Sequence, residues 1–447
     1  MFSNIKSNLV LKIVFRHLKQ RIKLLILKYN KNLKNKLNIQ LKDYQEYNSL
    51  KAFNEQYKTK IKNTGVEKLI IAGRIFSPVI DNEGLKDLSK IKFTGLKELN
   101  LSHNQITNLE PLLNMKFEKL EILNLSDLNQ LTRERIEEMK KMDKYIKPKK
   151  IDLSMLKKIK FPNLKVLNLS SNRIDITSLE NIKFNELIEL NLGFVDIKNI
   201  NFLSNFKFSK LEKFNIRDNL LKNINGLENM NLENLKHLYL GNNKISNFKA
   251  LEKINFKRLE YVDLSFLKIK DIKDLTILEK VRLNNLKELY LNFNDIEDIK
   301  ILEKVKFEKL EKLNFGEIKI SNIEVLEKVK FENLKELDLH ANLISNIKIL
   351  EKIKFVKLEK LNLSKNKISD ISVLEKLEFK NLKYLDLSFN EIVDIAILEN
   401  LKLNIFKSLK LSCNKYEESK FKNLISKIES KYIPEPEPDQ ESIGDLF

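Results

Sequence analysis

Apolar side chains recur along this chain with one fixed spacing from Leu96 onward. One copy of the pattern consists of Leu334, Leu337, Leu339, Asn342, Ile344, Ile347, Leu350, Ile353 and Phe355, and it returns 24 residues later between Leu358 and Phe379. A fixed period of this length predicts a stacked solenoid, in which each unit buries its apolar face against its neighbours. Because such stacking leaves no deep cleft, we expect any function to reside on the long exposed surface.

Each unit contains two kinds of spacing. In the first half the apolar residues alternate, so that Leu337 and Leu339 point into the core from a predicted strand while Glu336 and Asp338 face outward. From Ile347 onward the spacing changes to three residues, which predicts a short helix on the opposite side. A phenylalanine then ends the unit, and we expect it to fill the wedge between that helix and the next strand. This slot holds Phe93, Phe117, Phe161, Phe184, Phe208, Phe256, Phe307, Phe331, Phe355 and Phe379.

An asparagine follows the predicted strand in most units. It stands at Asn104, Asn172, Asn219, Asn243, Asn294, Asn342, Asn366, Asn390 and Asn414. Its amide can donate to and accept from backbone groups that the strand leaves unpaired, so successive units predict a ladder of such bonds. In four units the asparagine is replaced by Leu128, Val195, Leu267 or Ile318, and we expect their turns to be looser or differently shaped. We interpret these asparagines as structural and not as ligands.

The pattern LxxLxLxxNxI resembles the leucine-rich repeat and covers about three quarters of the chain. Of the twelve intervals between the first leucines of successive units, nine are 24 residues. The resemblance implies an α/β solenoid, a horseshoe with a parallel concave β-sheet and short convex helices. Second halves of the type DIxxLEKIKF resemble the intracellular phosphatase-regulator subtype and the internalins more than receptor ectodomains. The family resemblance also implies a protein-binding scaffold on the concave face.

Two intervals are longer than the others. Between Leu120 and Leu164 the excess over one repeat is 20 residues, and the extra segment 132–150 has the composition of a charged helix that ends at Pro148. Insertions in such arrays map to loops, which are often functional, although a tolerated surface insertion explains this one equally well. The interval between Leu259 and Leu286 is 27 residues, which predicts a lengthened convex helix.

The sequence divides into three parts. Residues 1–63 precede the repeats and contain no Gly or Pro, so we expect helix up to about residue 62; residues 64–431 form the solenoid of about 13 to 14 units. Val66, Leu69, Ile71 and Phe76 predict a degenerate first unit. Residues 432–447 carry five acids without Lys or Arg, and their Pro-Glu run predicts an extended, disordered tail.

An apolar stripe runs along the N-terminal segment with alternating spacings of four and three from Leu11 to Tyr29. We favour a helical cap over the first unit, because the end of a repeat array must be shielded from water. Deletion of residues 1–40 would then expose apolar surface and cause aggregation. A basic amphipathic helix on an anionic membrane or nucleic acid is another interpretation.

The segment VLKIVFRHLKQRIKLLILKYNKNL resembles a divergent F-box, although the usual leading Leu-Pro and closing Trp are missing. This resemblance implies a ubiquitin-ligase substrate receptor. Leu11, Ile13, Phe15 and Leu18 would then contact the ligase adaptor.

The net charge of +20 is unevenly distributed. Residues 1–63 hold 15 Lys and Arg against three acids. The repeats, residues 64–431, are closer to balance for their size, with 67 Lys and Arg against 54 acids, so we expect no specific nucleic-acid partner. Codon bias is an alternative explanation of the high content of Lys, Asn and Ile, and it would make much of this charge a matter of solubility alone. Cys413 is the single cysteine, which excludes an intrachain disulfide. Because the sequence shows neither a signal peptide nor a long apolar run, we expect a cytoplasmic protein, and the nucleus is an alternative location.

A candidate partner site lies in three adjacent units. Most outward strand positions are Asn, Ser, Asp or Glu, but here they include aromatic side chains beside carboxylates, a composition typical of binding hot spots. The set is His237, Tyr239, Tyr261, Asp263, Phe266, Glu288, Tyr290 and Phe293. Phe266 and Phe293, like Phe389, share a turn position where a structural role is equally plausible, and Phe194 is a secondary candidate. Adjacent strands lie about 4.8 Å apart, so the residues can form one patch.

Catalytic motifs find no support in this chain. The histidines are scattered, and neither HExxH and CxxC spacings nor a phosphate-binding glycine loop occurs, so we predict no enzyme, cofactor or metal site. We therefore predict a non-enzymatic scaffold that binds a protein partner. The F-box ligase receptor and a scaffold like a phosphatase-regulatory subunit remain as alternatives.

Overall fold

The computed structural model describes residues 41–74, 79–129, 150–270, 276–399 and 406–429, without residues 181, 183, 207, 282 and 378. The predicted acidic tail 432–447 lies outside the described residues, as do Phe76 and the adaptor-binding candidates Leu11, Ile13, Phe15 and Leu18. Of the predicted insertion 132–150, only Lys150 is described. The F-box resemblance, the N-terminal cap and the disordered tail therefore stay predictions.

Fourteen strands of three residues lie in chain order in one open parallel sheet. They are β1 (Lys68–Ile70), β2 (Glu98–Asn100), β3 (Ile122–Asn124), β4 (Val166–Asn168), β5 (Glu189–Asn191), β6 (Lys213–Asn215), β7 (His237–Tyr239), β8 (Tyr261–Asp263), β9 (Glu288–Tyr290), β10 (Lys312–Asn314), β11 (Glu336–Asp338), β12 (Lys360–Asn362), β13 (Tyr384–Asp386) and β14 (Ser408–Lys410). Equivalent residues of successive units pair directly, as in Leu313 with Leu337. The predicted parallel sheet and α/β solenoid are confirmed.

The segments that return from one strand to the next are mostly single turns of 3-10 helix and not α-helix. They comprise Glu110–Asn114, Ser154–Lys158, Ile176–Leu179, Asn201–Asn205, Asn225–Asn229, Lys249–Lys253, Lys300–Glu303, Glu324–Glu327, Lys348–Glu351, Ser372–Lys376, Ala396–Glu399 and Glu418–Phe421. The α-helices are α1 (Leu41–Gln56), α2 (Asn82–Ser89), α3 (Ile277–Lys280) and α4 (Lys422–Glu429). Helix α3 belongs to the unit with the 27-residue interval, but residues 271–275 before it lie outside the described residues, so the predicted lengthened helix stays a prediction.

The chain forms two compact units, residues 1–123 with 128–163 and residues 124–127 with 164–447. The first unit contains α1, α2 and the first two strands. The second contains β4 to β14 and all of the candidate partner residues.

The core is formed by equivalent positions of successive repeats, which stack on one another. The inward strand leucines, such as Leu337 and Leu339, are buried, and the predicted phenylalanine slot is buried in every unit that has it. Phe331 stacks between Phe307 and Phe355, with ring centroids 6.4 and 6.1 Å apart. The alternation of apolar and polar residues thus correctly predicted which side chains enter the core.

The asparagine ladder is confirmed. In one rung, Nδ2 of Asn366 donates to the carbonyl oxygen of Leu339 in the preceding unit at 2.9 Å and to that of Leu363 in its own unit at 3.0 Å. Oδ1 of Asn366 accepts the N–H of Ile344, also in the preceding unit, at 3.0 Å. One buried amide therefore satisfies backbone groups on two successive turns.

Units without the asparagine have differently shaped turns, as expected, and the structure gives the reason. The turns after β2 to β14 each have one residue with positive φ just before the ladder position. Three of the four turns that lack the asparagine add a second such residue, at Asp196, Lys268 and Lys319. There the ladder asparagine of the next unit accepts two N–H groups. Oδ1 of Asn342, for example, accepts from Ile318 at 3.3 Å and from Ile320 at 3.1 Å. The following asparagine thus compensates for the missing one.

Helix α1 ends earlier than the sequence predicted. The helix ends at Gln56, and Lys58 adopts a left-handed conformation with φ of 52°. The side chain of Asn54 explains the break, because it accepts from Thr59 and from the N–H of Ile61 and donates to the carbonyl of Ile61. Such local side-chain bonds compete with the helical hydrogen bonds.

Two apolar side chains of helix α1, Leu50 and Phe53, are buried. Leu69 and Ile71 of the degenerate first unit are buried as well, and β1 pairs with β2. The described part of the predicted degenerate first repeat thus contributes a strand to the sheet.

Many lysines form ion pairs between successive units. In the LEK segments the glutamate of one unit pairs with the lysine of the next, as in Glu252 with Lys280 at 3.2 Å and Glu303 with Lys328 at 3.0 Å. Glu228 of the segment LEN pairs with Lys253 in the same way at 2.6 Å. Each exposed pair contributes little to stability, up to about 1 kcal/mol. These pairs nevertheless place many of the lysines of the repeats beside a carboxylate of a neighbouring unit.

Candidate functional site

Strands β7, β8 and β9 bring the predicted strand residues of the candidate site together. His237 pairs in register with Tyr261, which pairs with Glu288. In the row two residues further along, Tyr239 pairs with Asp263 and Asp263 with Tyr290. The side chains therefore occupy two parallel rows on the side of the sheet away from the core.

The four rings of this site form one contiguous zigzag, which we call the tyrosine cluster (His237, Tyr239, Tyr261 and Tyr290). The centroid of Tyr261 lies 4.6 Å from that of Tyr239 and 5.1 Å from that of Tyr290. The imidazole of His237 lies 5.7 Å from Tyr261. Tyr261 therefore contacts Tyr239 and Tyr290 diagonally between the two rows and His237 within its own row, and it is the central ring.

Two of the predicted site residues are less exposed than strand alternation suggested. Tyr239 is only 6% exposed and Asp263 only 3%, although both point away from the core. The ring of Tyr261 packs against that of Tyr239, and Tyr261 and Tyr290 are themselves half-buried. The surface offered to a partner consists mainly of His237, Tyr261 and Tyr290.

Arg217 accompanies Asp263 and was missed by the sequence analysis. Its Nη1 lies 3.6 Å from Oδ2 of Asp263, while its Nε donates to Asp218 at 2.6 Å. Asp263 also accepts from the N–H and hydroxyl of Ser265, at 2.9 and 2.6 Å. The carboxylate of Asp263 is therefore engaged by Arg217 and Ser265 within the site. The available signal was an arginine at a position that holds Ser or Gly in most units.

The phenols of the tyrosine cluster remain protonated at neutral pH. Burial, followed by the charges of Glu288 and Asp263, raises the pKa of Tyr239, and burial followed by Asp263 raises the pKa of Tyr261. Burial and Glu288 raise the pKa of Tyr290, whose hydroxyl donates to Glu288 at 2.8 Å. The tyrosine cluster therefore presents neutral rings with hydroxyl groups.

The tyrosines replace residues that stabilise the strand ends elsewhere. At the third strand position an Asn or Asp side chain usually accepts the N–H two residues later, as Asn314 does from Gly316 at 2.9 Å and Asn362 from Ser364 at 3.1 Å. Tyr239 and Tyr290 occupy this position, and a phenol cannot make the bond. Each lost hydrogen bond costs about 0.5–1.5 kcal/mol. The fold therefore does not explain these tyrosines.

Beyond the tyrosine cluster, oppositely charged side chains at the first position of adjacent strands form ion pairs. Lys312 lies 3.5 Å from Glu288 on the preceding strand, and Lys360 lies 3.4 Å from Glu336. Lys360 also lies over the ring of Tyr384 at 5.6 Å. This part of the sheet has the character of a solvated surface.

Phe266 and Phe293 lie beside the strands, at turn positions with positive φ of 55° and 57°. Their rings stack with centroids 4.1 Å apart. Phe194 and Phe389 occupy the same turn position and are 50% and 52% exposed. The sequence analysis left a structural role open for these phenylalanines except Phe194, but their exposure indicates that they contribute little to the core.

Two histidines of the strand face have opposite pKa shifts. Burial, followed by the nearby charge of Lys213, lowers the pKa of His237. The pKa of His340 is raised, chiefly by the hydrogen bond between its Nδ1 and Asp338 at 2.9 Å.

These shifts predict opposite pH dependences. His237 resists protonation in the folded state, so its contribution to stability is lost as pH falls from about 6.5. His340 stabilises the folded state below about pH 6.5, and this contribution is lost as pH rises through its raised pKa. Urea melts of H237Q and H340Q between pH 5 and 8.5 check the signs. Each variant should lack the corresponding wild-type slope; parallel profiles for all three proteins would contradict the assignment.

The described part of the chain offers neither a group of side chains that could hold a metal ion nor a helix that could span a membrane. No group of three or more His, Cys, Asp or Glu residues there is arranged to hold a metal ion. Among the described helices, none is long and apolar enough to cross a membrane.

Family models for leucine-rich repeats match several stretches of the chain. The model for two copies of the repeat matches residues 94–138, 231–277, 332–376 and 356–400. Single-repeat models match residues 163–185 and 282–299. Together with the open parallel sheet and the asparagine ladder, these matches identify the chain as a leucine-rich-repeat protein.

Solved structures agree with this fold. An internalin (inlF) from Listeria monocytogenes is 24% identical with a TM-score of 0.55, and the match covers 83% of this chain and 95% of that one. A leucine-rich-repeat protein of Leptospira interrogans is 21% identical with a TM-score of 0.53, covering 86% of this chain and 98% of that one. No curated protein matches the chain. At these identities the likeness concerns the fold alone.

Proposed function

We propose that this chain is a protein-binding scaffold whose partner docks on the tyrosine cluster and the adjoining Glu288. The observation that carries the proposal is the zigzag of rings across β7, β8 and β9. Tyrosine supplies a large, rigid contact area together with a hydroxyl that can bond a polar partner atom. The repeat family supports a scaffold of this kind.

The local energetics support the same residues. Tyr239 and Tyr290 forgo the strand-end hydrogen bond that Asn or Asp makes at this position elsewhere. Removal of stabilising interactions at one place on an otherwise regular surface is typical of residues retained for function. Aromatic side chains that are already ordered by mutual packing also lose little conformational entropy when a partner binds.

The test is capture of partners by the full-length chain and by the double variant Tyr261→Ala/Tyr290→Ala. Immobilised proteins are incubated with extract of the source cells, and the bound proteins are quantified by mass spectrometry. We expect the main partner to bind the wild type and to be depleted at least about tenfold on the double variant, because hot-spot truncations cost about 2 kcal/mol or more. Melting temperatures are measured in parallel to verify folding.

Tyr384→Ala is the matched control, because Tyr384 begins β13 as Tyr261 begins β8 but lies outside the tyrosine cluster. Its capture profile should equal that of the wild type. Equal depletion on the control and on the double variant would locate binding elsewhere on the sheet. If the double variant unfolds, the rings belong to the core and the site assignment is wrong.

A further inference from the structure

A second surface lies on the turns that follow β5 to β8, outside the tyrosine cluster. Phe194 and Phe266 hold the same turn position three units apart, while the intervening units place Asp218 and Asn242 there. With adjacent strands about 4.8 Å apart, three intervals separate the two phenyl-bearing turns by roughly 14 Å. The smaller side chains between them leave a groove of about 740 Å³, which we call the phenylalanine groove.

The phenylalanines of this groove are not required by the fold. The same left-handed turn position is occupied elsewhere by Ser171, Ala341 and Lys365, with φ between 53° and 56°. Bulky side chains are disfavoured in this conformation, where Asn is favoured. Phe194 and Phe266 are 50% and 40% exposed, so burial compensates the unfavourable conformation only in part. Two apolar walls are therefore held open to solvent at an energetic cost.

The rim of the groove is positively charged. Lys244, Lys268 and Lys270 line it and are exposed. Within the described ranges, no carboxylate lies at ion-pair distance from these three lysines. The neighbouring Asp295 pairs with Lys319 instead, at 2.6 Å.

The floor of the groove carries little free negative charge. Asp218, the acidic residue of the lining, accepts from Nε of Arg217 at 2.6 Å and from the amide of Asn242. The groove thus combines apolar walls, a neutralised floor and a cationic rim.

We propose that the phenylalanine groove binds an extended, acidic segment of a partner protein that carries an aromatic or large aliphatic side chain. A span of roughly 14 Å accommodates about four extended residues. The apolar side chain packs against Phe194 and Phe266, and the carboxylates pair with Lys244, Lys268 and Lys270. Charge complementarity selects an acidic occupant over a basic one, because a basic segment would meet the like charges of three exposed lysines.

The experiment selects occupants from a random peptide library displayed on phage. The library is selected on the immobilised full chain and counter-selected on Phe194→Ala/Phe266→Ala. We expect the enriched peptides to combine Asp or Glu with Phe, Tyr, Leu or Ile. A synthetic copy of the most enriched peptide is then titrated by fluorescence anisotropy against each variant, with folding verified by melting temperature.

Two sets of variants make the titration decisive. The dissociation constant should rise at least about tenfold for Phe194→Ala/Phe266→Ala and for the charge reversal Lys268→Glu/Lys270→Glu, and it should rise with salt. Because the lysines are exposed, their reversal keeps the proposal testable even if the phenylalanine variant folds poorly. Phe389→Ala and Lys365→Glu are matched controls at the same turn position outside the groove, and they should leave the constant within about twofold.

Several results would overturn the proposal. Enrichment of basic peptides, or of none that depends on Phe194 and Phe266, would show that the groove is not such a site. If peptides are enriched only on a chain that lacks residues 432–447, then this acidic segment of the chain itself would be the occupant of the groove. Loss of peptide binding in Tyr261→Ala/Tyr290→Ala alone would assign the peptides to the tyrosine cluster, so the two proposals can fail independently.

Discussion

Asn342→Ala is expected to destabilise the protein more than Asn366→Ala, although both residues occupy the same ladder position. Nδ2 of Asn342 donates to the carbonyls of Phe315 and Leu339, and Oδ1 accepts the N–H groups of both Ile318 and Ile320. Asn366 makes equivalent donor bonds but accepts from Ile344 alone. The difference arises because the unit of Ile318 lacks its own ladder asparagine.

The expected magnitudes follow from the orphaned groups. Removal of the amide leaves buried backbone groups without a partner, so we expect a loss of roughly 1–3 kcal/mol for Asn366→Ala and a larger loss for Asn342→Ala, which leaves one more buried N–H group unpaired. Urea melts of the two variants give the comparison. Lys365→Ala, next to Asn366 but directed to solvent, should change the free energy of unfolding by less than about 0.5 kcal/mol. Equal losses for the two asparagines would refute the double acceptor role.

Phe331→Ala is expected to cost about 3–5 kcal/mol of folding free energy. Phe331 is buried, and its ring stacks between Phe307 and Phe355 of the adjacent units. Truncation leaves a cavity between two rings that belong to different units, so the stacking of units is weakened as well as the packing within one. Chemical denaturation monitored by circular dichroism measures the loss.

Phe389→Ala is the matched control for this prediction. Phe389 is also a phenylalanine of a repeat unit, but 52% of it is exposed. Its truncation removes little buried area and should change stability by less than about 1 kcal/mol. A loss comparable to that of Phe331→Ala would mean that the turn phenylalanines are part of the core, which would also weaken the proposed groove.

The candidate site was only partly predictable from the sequence. Strand alternation placed Tyr261 and Tyr290 on the outer side of the sheet, and the recurring repeat pattern placed them on neighbouring strands. It did not predict that Tyr239 is covered by Tyr261, because burial on that side depends on diagonal contacts between rings. Nor did it predict the pairing of Arg217 with Asp263, which lie two strands apart in the sheet.

The sequence by itself determined the period, the inward strand leucines, the phenylalanine column and the asparagine ladder, because each of these depends on a spacing that repeats. The tertiary structure alone decided the end of α1 at Gln56, the second left-handed residue at Lys319 and the cover over Tyr239. Each of these depends on the size, rotamer or hydrogen-bonding capacity of a particular neighbour. Periodicity specifies which face of a unit is buried, whereas the shape of the exposed face is set by side chains that meet only after the units have stacked.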